Sequence, residues 1–156
     1  TCMIEIDPMT LLGDPSAAKS MLEKLEQVSD WDSAVIFVGA SEYNREQVKA
    51  WAKQHGETAE TAAAVIAQGL GSLVNAAMEK HPFDAVVMTG GDTAKAICGR
   101  LGIADLELKV EVEAGLPLGV ANWQGKDISV ITKAGGFGNE NSLVHVVDYL
   151  KGALNL

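Results

Sequence analysis

The stretch Phe83-Asp84-Ala85-Val86-Val87-Met88-Thr89-Gly90-Gly91-Asp92-Thr93-Ala94 decides how this chain folds. Its first half is an apolar run of strand length, the pattern of a strand buried on both faces. Its second half turns through two glycines into a helix expected over about 93–101, which Gly102 ends. A turn of the same build, Lys133-Ala134-Gly135-Gly136-Phe137-Gly138, follows a strand pattern at 127–132 and precedes a helix pattern at 139–151. In both, glycine lets the backbone approach a ligand closely, and the unpaired N–H groups at the helix start point outward, as anion sites require. Two such turns in one small domain suggest a nucleotide.

Working outward, residues 2–6 read as a strand, and Asp14-Pro15-Ser16 can start a helix whose apolar face is Ala18, Met21, Leu22 and Leu25. Ala34-Val35-Ile36-Phe37-Val38 is a second continuous apolar strand, expected to be covered by helices on both sides. Residues 42–54 form an amphipathic helix through Val48, Trp51 and Ala52, stopped at His55-Gly56. Residues 57–80 carry Ala62, Val65, Ile66, Gly69, Leu70, Leu73, Val74 and Ala77 at helical spacing. Gly69 and Gly71 within that helix imply close packing against another backbone, since each costs about 1 kcal/mol relative to alanine. Leu106, Leu108, Val110 and Val112 alternate with charged residues, the signature of a strand with one wet face near a sheet edge. Residues 120–123 and 127–132 flank Gln124-Gly125-Lys126 as a hairpin. The last helix is expected to turn Leu143, Val146, Val147 and Leu150 inward. The expected class is α/β, a three-layer α/β/α arrangement with a mixed, mostly parallel sheet, forming one domain over residues 1–156 without repeats or linkers.

Acidic residues outnumber basic ones, 21 to 12, for a formal net charge of −9, which argues against sequence-independent contacts to DNA or RNA. It does not argue against a mononucleotide carried with a divalent cation, because a few fixed N–H dipoles and one lysine outweigh a distant negative surface. No run approaches the roughly 20 continuous apolar residues that span a bilayer, so no membrane partner is expected. The chain opens on Thr1 with strand pattern at once, reading as a fragment without a signal peptide. Cys2 and Cys98 have neither metal-site spacing nor the density of a disulfide scaffold, which fits a reducing, cytoplasmic compartment. His55, His81 and His145 lack the mutual spacing of a metal site, Cys98 reads as a small core side chain, and Trp31, Trp51 and Trp123 are scattered.

Each glycine turn has a purely structural reading beside the functional one. Gly90-Gly91 can be a tight turn with Asp92 as an ordinary helix N-cap, a role that stabilises by about 1 kcal/mol. The functional reading gives the backbone of Gly90, Gly91, Asp92 and Thr93 to phosphate, places Asp92 near a metal, and lets the Thr93 hydroxyl donate one more hydrogen bond. For residues 133–138 the structural reading is a connection with Phe137 folded into the core. Three glycines in four residues weigh against it, since ordering each costs more backbone entropy than any other residue would. Neither turn is a P-loop or a GxGxxG fingerprint.

Val87-Met88-Thr89-Gly90-Gly91-Asp92-Thr93-Ala94, Leu101-Gly102, Val112-Glu113-Ala114-Gly115-Leu116-Pro117-Leu118-Gly119 and Ile131-Thr132-Lys133-Ala134-Gly135-Gly136-Phe137-Gly138, in that order, resemble the C-terminal nucleotide-binding domain of the four-carbon acid sugar kinases. These are the tetronate and 3-oxo-tetronate kinases, some labelled type III effector Hrp-dependent outer proteins. The resemblance implies ATP as phosphoryl donor, ATP or ADP and Mg2+ as ligands, and nucleotide contacts at Gly90, Gly91, Asp92, Thr93, Gly135 and Gly136. Beside these contacts Lys133 can reach a phosphate, although a lysine at a strand end is more often just a solvated charge; Phe137 and Gly138 are given the shaping of the loop, and Glu113 and Gly115 sit in a matching block of unclear role. It also implies that the four-carbon acid sugar is held by an N-terminal domain outside this chain, so that the fragment alone is inactive. The family's further Gly-Ser-x-Ser segment is matched only superficially by Gly39-Ala40-Ser41-Glu42 and is not carried over. The rival readings are a non-catalytic nucleotide-sensing or protein-interaction module, and an enzyme using the turns for another phosphorylated ligand such as a dinucleotide. A homo-oligomer is left open.

Overall fold

A computed structural model describes residues 1–13, 23, 33–81 and 83–154. The chain divides into two compact units, Thr1–Lys80 and His81–Leu156. The helix expected from Asp14 onward lies outside the described residues.

In the first unit, β1 (Cys2–Ile6) pairs in parallel with β2 (Ala34–Val38). Between them α1 (Pro8–Gly13) starts where sequence reading placed no helix. Asp7 accepts the Met9 N–H at 2.9 Å through its side chain, and Pro8 sits at the first helical position, where its missing N–H costs nothing. α2 (Glu42–His55) is capped by Ser41, whose side chain accepts the Asn44 N–H, and ends at Gly56 with φ 67°. α3 (Ala59–Lys80) is the spine of the unit. Its buried Leu70, Leu73 and Ala77 pack on Ile4, Ile6 and Leu11. A fully buried side chain such as Ile6 or Leu73 contributes about 1.5–3 kcal/mol by leaving water. The expected approach of another backbone at Gly69 is corrected to a side chain: a Cβ there would lie 3.1 Å from Leu11 Cδ2. α3 is long and apolar enough to cross a membrane by length and composition alone, yet its buried face is the core of this unit.

The expectation that β2 is covered on both faces is corrected: Ile36 packs on the core, whereas Val35 and Phe37 are exposed, beside Met3 of β1. Alternate residues of a strand face opposite ways. The described helices of this unit thus meet one face of the pair.

In the second unit, β3 (Ala85–Thr89), α4 (Gly91–Leu101), β4 (Glu107–Glu113), β5 (Leu116–Trp123), β6 (Lys126–Lys133) and α5 (Ser142–Leu154) follow in order. The strands lie as β3-β6-β5-β4. β3 pairs in parallel with β6, and β4/β5 and β5/β6 are antiparallel hairpins. The sheet is therefore mixed, as expected, though parallel ladders do not outnumber antiparallel ones among the described strands. Two-residue turns force antiparallel pairing. At Gln124-Gly125 both residues have positive φ, 50° and 85°, the requirement of a type I′ hairpin. β4 takes the edge that its alternation suggests.

Leu116 and Ile131 of the sheet pack against Val146 and Leu150 of α5. Val112 near the end of β4 joins them, but Leu108 and Val110 stay exposed, so β4 is wet on both faces over most of its length. Leu143, expected to face inward, is 43% exposed, because Ser142 takes the buried position at the start of α5.

Candidate functional site

The site begins with strand register. Thr89, the last residue of β3, is the partner of Lys133, the last residue of β6. Because these strands are parallel neighbours, both glycine turns leave the sheet side by side at its carboxyl edge, where open α/β sheets receive ligands. One backbone hydrogen bond ties them together, from the Gly90 N–H to the Lys133 carbonyl at 3.0 Å.

Gly90 has φ 87° and ψ 129°, a conformation that favours glycine, and it is the N-cap of α4. The local alternative in which Asp92 caps the helix is thereby corrected: Asp92 lies in the first turn, and no side chain caps α4. The first intrahelical bond runs from the Ala94 N–H to the Gly90 carbonyl at 2.9 Å. The N–H groups of Gly91, Asp92 and Thr93 come before it and carry the positive end of the helix dipole. Thr93 Oγ1 stands 3.6 Å from where a Gly90 Cβ would be, so the hydroxyl turns back over the turn.

At Gly91, Gly135 and Gly136 a Cβ would meet nothing within 4 Å. These glycines leave open space beside the backbone, as do Gly99, Gly102, Gly125 and Gly152 away from the turns, whereas Gly115, Gly119 and Gly138 are crowded from within the protein. A Cβ at Gly138 would lie 2.6 Å from Ser142 Oγ and 3.1 Å from Lys133 Cε, and Gly138 has φ 79°. The Lys133 side chain thus runs along the second turn. Phe137 is 53% exposed, which corrects its reading as a core residue, and it lies on Gly115, where a Cβ would sit 2.3 Å from its ring. Phe137 thus packs on the hairpin tip, and Gly138 sits close against Ser142 and Lys133.

Asp92 is the one carboxylate among the sequence-assigned residues, and no group of three or more metal-ligating side chains occurs among the described residues. Mg2+ is commonly held by one or two carboxylates together with substrate phosphates, so a lone Asp92 suits a metal that arrives with a nucleotide. Burial pushes the Cys98 thiol up and away from thiolate chemistry. A depression of about 300 Å³ lined by Gly102, Asp105, Val120 and Asn122 lies at the opposite end of the strands from the turns.

In the first unit, β2 passes through Gly39 into α2 in a similar way, but there a Cβ would be 2.6 Å from both Asn44 Nδ2 and Glu5 Oε1, and the Ser41 oxygen is used by the Asn44 N–H. Three residues that sequence reading left without a role join the second turn: Glu113, Asn139 and Ser142 are bonded to one another. They stand up to 29 positions apart, and Glu113 alone fell within a recognised block.

Residues 1–143 match a family described as a nucleotide-binding C-terminal domain. The chain is 31% identical over 142 residues to a D-threonate kinase of Bordetella bronchiseptica, covering 87% of the chain and 35% of that protein. It is 26% identical over 154 residues to a D-threonate kinase of Salmonella typhimurium, covering 96% of the chain and 36% of that protein. The chain therefore spans about a third of the length of these curated relatives. A solved Bordetella bronchiseptica domain of unknown function, crystallised with citrate as a domain-swapped dimer, superposes with a TM-score of 0.73 at 25% identity over 97% of this chain and 35% of that one.

Proposed function

The chain belongs to the family of nucleotide-binding C-terminal domains, and on that premise we propose that it binds ATP or ADP as the phosphoryl-donor part of a kinase for a small four-carbon acid sugar. The observation that carries this reading is the bond between Gly90 and Lys133, which joins two glycine turns at one edge of the sheet with open space at Gly91, Gly135 and Gly136.

In this reading the N–H groups of Gly91, Asp92 and Thr93 donate to phosphate oxygens at the start of α4. Gly135 and Gly136 let the second backbone close on the same phosphates, and Lys133 neutralises part of their charge. Asp92 holds Mg2+ jointly with the phosphates. A bound ATP supplies the γ-phosphoryl group for in-line transfer to a hydroxyl, chemistry that depends on positioning and charge stabilisation rather than on a covalent enzyme intermediate. The acid sugar and its activating base belong, on this proposal, to parts of a longer protein, and the chain alone is inactive. A cytoplasmic location goes with the same reading.

Isothermal titration of the folded chain with ATP and ADP, with and without Mg2+ and with NAD as control, tests it. Saturable, magnesium-sensitive binding of the adenosine phosphates but not of NAD is expected. A folded chain silent towards all of them at millimolar concentration means either that contacts from the rest of a longer protein are needed or that the turns are structural; the same titration on the full-length protein separates the two, and silence there too refutes the donor reading.

A further inference from the structure

The second glycine turn does not specify its own shape. Gly135 and Gly136 have no neighbour within 4 Å of a Cβ position, and the bond inside the turn runs from the Phe137 N–H to the Ala134 carbonyl at 3.1 Å. Three glycines in four residues make such a segment costly to order. One end is fixed by the β6 ladder through Lys133. The other end is fixed from a distant part of the chain, the tip of the β4–β5 hairpin.

Glu113 does this. Its Oε1 accepts from Ser142 Oγ at 2.7 Å and from Asn139 Nδ2 at 3.4 Å. Ser142 is fully buried, and its Oγ also accepts the Asn139 backbone N–H at 2.8 Å. A serine hydroxyl has one proton to give, and the carboxylate takes it, which leaves the oxygen free to receive the Asn139 N–H. Asn139 Oδ1 in turn accepts the Asn141 N–H at 2.8 Å. Two residues further along the hairpin, Gly115 admits the Phe137 ring against its backbone. Glu113 Oε2 is buried without a hydrogen bond and stands 4.0 Å from His145 Nδ1 of α5. Burying one carboxylate oxygen without a hydrogen bond costs free energy even though the Glu113 side chain as a whole is 26% exposed. Its return is a loop held in one shape before any ligand arrives.

We infer that Glu113 is the positioning residue of the second glycine turn, acting through Ser142 and Asn139 to preorganise it for phosphate. The inference rests on the nucleotide reading above. Preorganisation reduces the ordering cost that binding otherwise carries, so removing Glu113 weakens nucleotide binding without removing any group that touches the nucleotide.

The test combines amide hydrogen exchange of the ligand-free chain with ADP titration, on the parent, Glu113→Ala, Glu113→Gln, Ser142→Ala and the Glu113→Ala/Ser142→Ala pair. In Glu113→Ala the Asn139 N–H is expected to exchange at least tenfold faster while the core of β6 keeps its protection, and ADP affinity to fall at least tenfold. Glu113→Gln, which keeps one acceptor oxygen, recovers most of both. Ser142→Ala matches Glu113→Ala, and the pair is no worse than either single change within about twofold, because one linkage is broken in all three. Unchanged exchange and affinity in Glu113→Ala, or loss of protection spread evenly over the unit in Glu113→Gln and Ser142→Ala alike, overturns the assignment. A parent chain and a full-length protein that both bind no ADP overturn the nucleotide reading instead, and the ligand-free exchange rates tell the two failures apart.

Discussion

Replacing Gly135 by leucine separates a ligand-binding glycine from a structural one more cleanly than any other change in this chain. A Cβ at Gly135 meets no atom within 4 Å, and Gly135 is not among the positive-φ residues, so the fold offers no steric objection. Surface substitutions of that kind change stability by about 0.5 kcal/mol or less. Gly91→Leu has the same prospect, with a small gain from better helix propensity at the start of α4. If phosphate lies against these backbones, the added side chain occupies its place. Losing even one charged hydrogen bond of the set removes about 1.5–3 kcal/mol, a tenfold or greater loss of affinity. Thermal unfolding and ADP titration on the same samples read both quantities. The expected pattern is an unfolding midpoint within about 2 °C of the parent with affinity down at least tenfold. Parental affinity in both variants refutes the assignment of the turns, and unfolding of both refutes the claim that these glycines have open space beside them.

Gly115→Ala is the opposite case: its Cβ would lie 2.3 Å from the Phe137 ring, and Gly115 has φ 76°, so the backbone penalty of about 1–2 kcal/mol adds to displacement of the ring. A lower denaturation midpoint and weaker ADP binding together are expected; parental values for both would contradict the contact. Glu60, at the start of α3, has its carboxyl lowered from the ordinary 4.5 by backbone and Thr58 hydrogen bonds. A carboxyl lowered by folding stabilises above its unfolded pKa and loses that contribution as pH falls through the folded one. Glu60→Gln should therefore flatten the acid limb of a stability-versus-pH curve, and an unchanged limb would remove Glu60 from the account. Cys98, whose thiol is raised by burial, should react with iodoacetamide at neutral pH more slowly than free cysteine; faster reaction would show an activated thiol.

Local chemistry made much of this fold legible. The helix stops at Gly56 and Gly102 occur at positive φ, 67° and 69°. The turn at Gln124-Gly125 and the edge position of β4 follow from patterning over a few residues. What escaped the sequence depends on partners far along the chain. The exposure of Val35, Phe37, Leu108 and Val110 depends on which faces the helices reach, and an apolar run looks the same covered or bare. The six-residue α1 is short enough for its Asp-Pro start to pass as a turn. At the site, the glycine turns were visible because each interrupts an apolar strand pattern just before a helical one, and their adjacency follows once β3 and β6 are parallel neighbours. Glu113 and Ser142 were not linked by any pattern, since a hydrogen bond across 29 positions leaves no periodic trace.

The central claim is that the two turns act as one phosphate site, and backbone amide NMR of the chain titrated with MgADP tests it most directly. The account predicts that the resonances of Gly91, Asp92, Thr93, Gly135 and Gly136 shift together along one binding curve, with those near Gln124-Gly125 at the far end of the strands unmoved. Shifts at one turn alone, separate curves for the two turns, or no shift at either would contradict it.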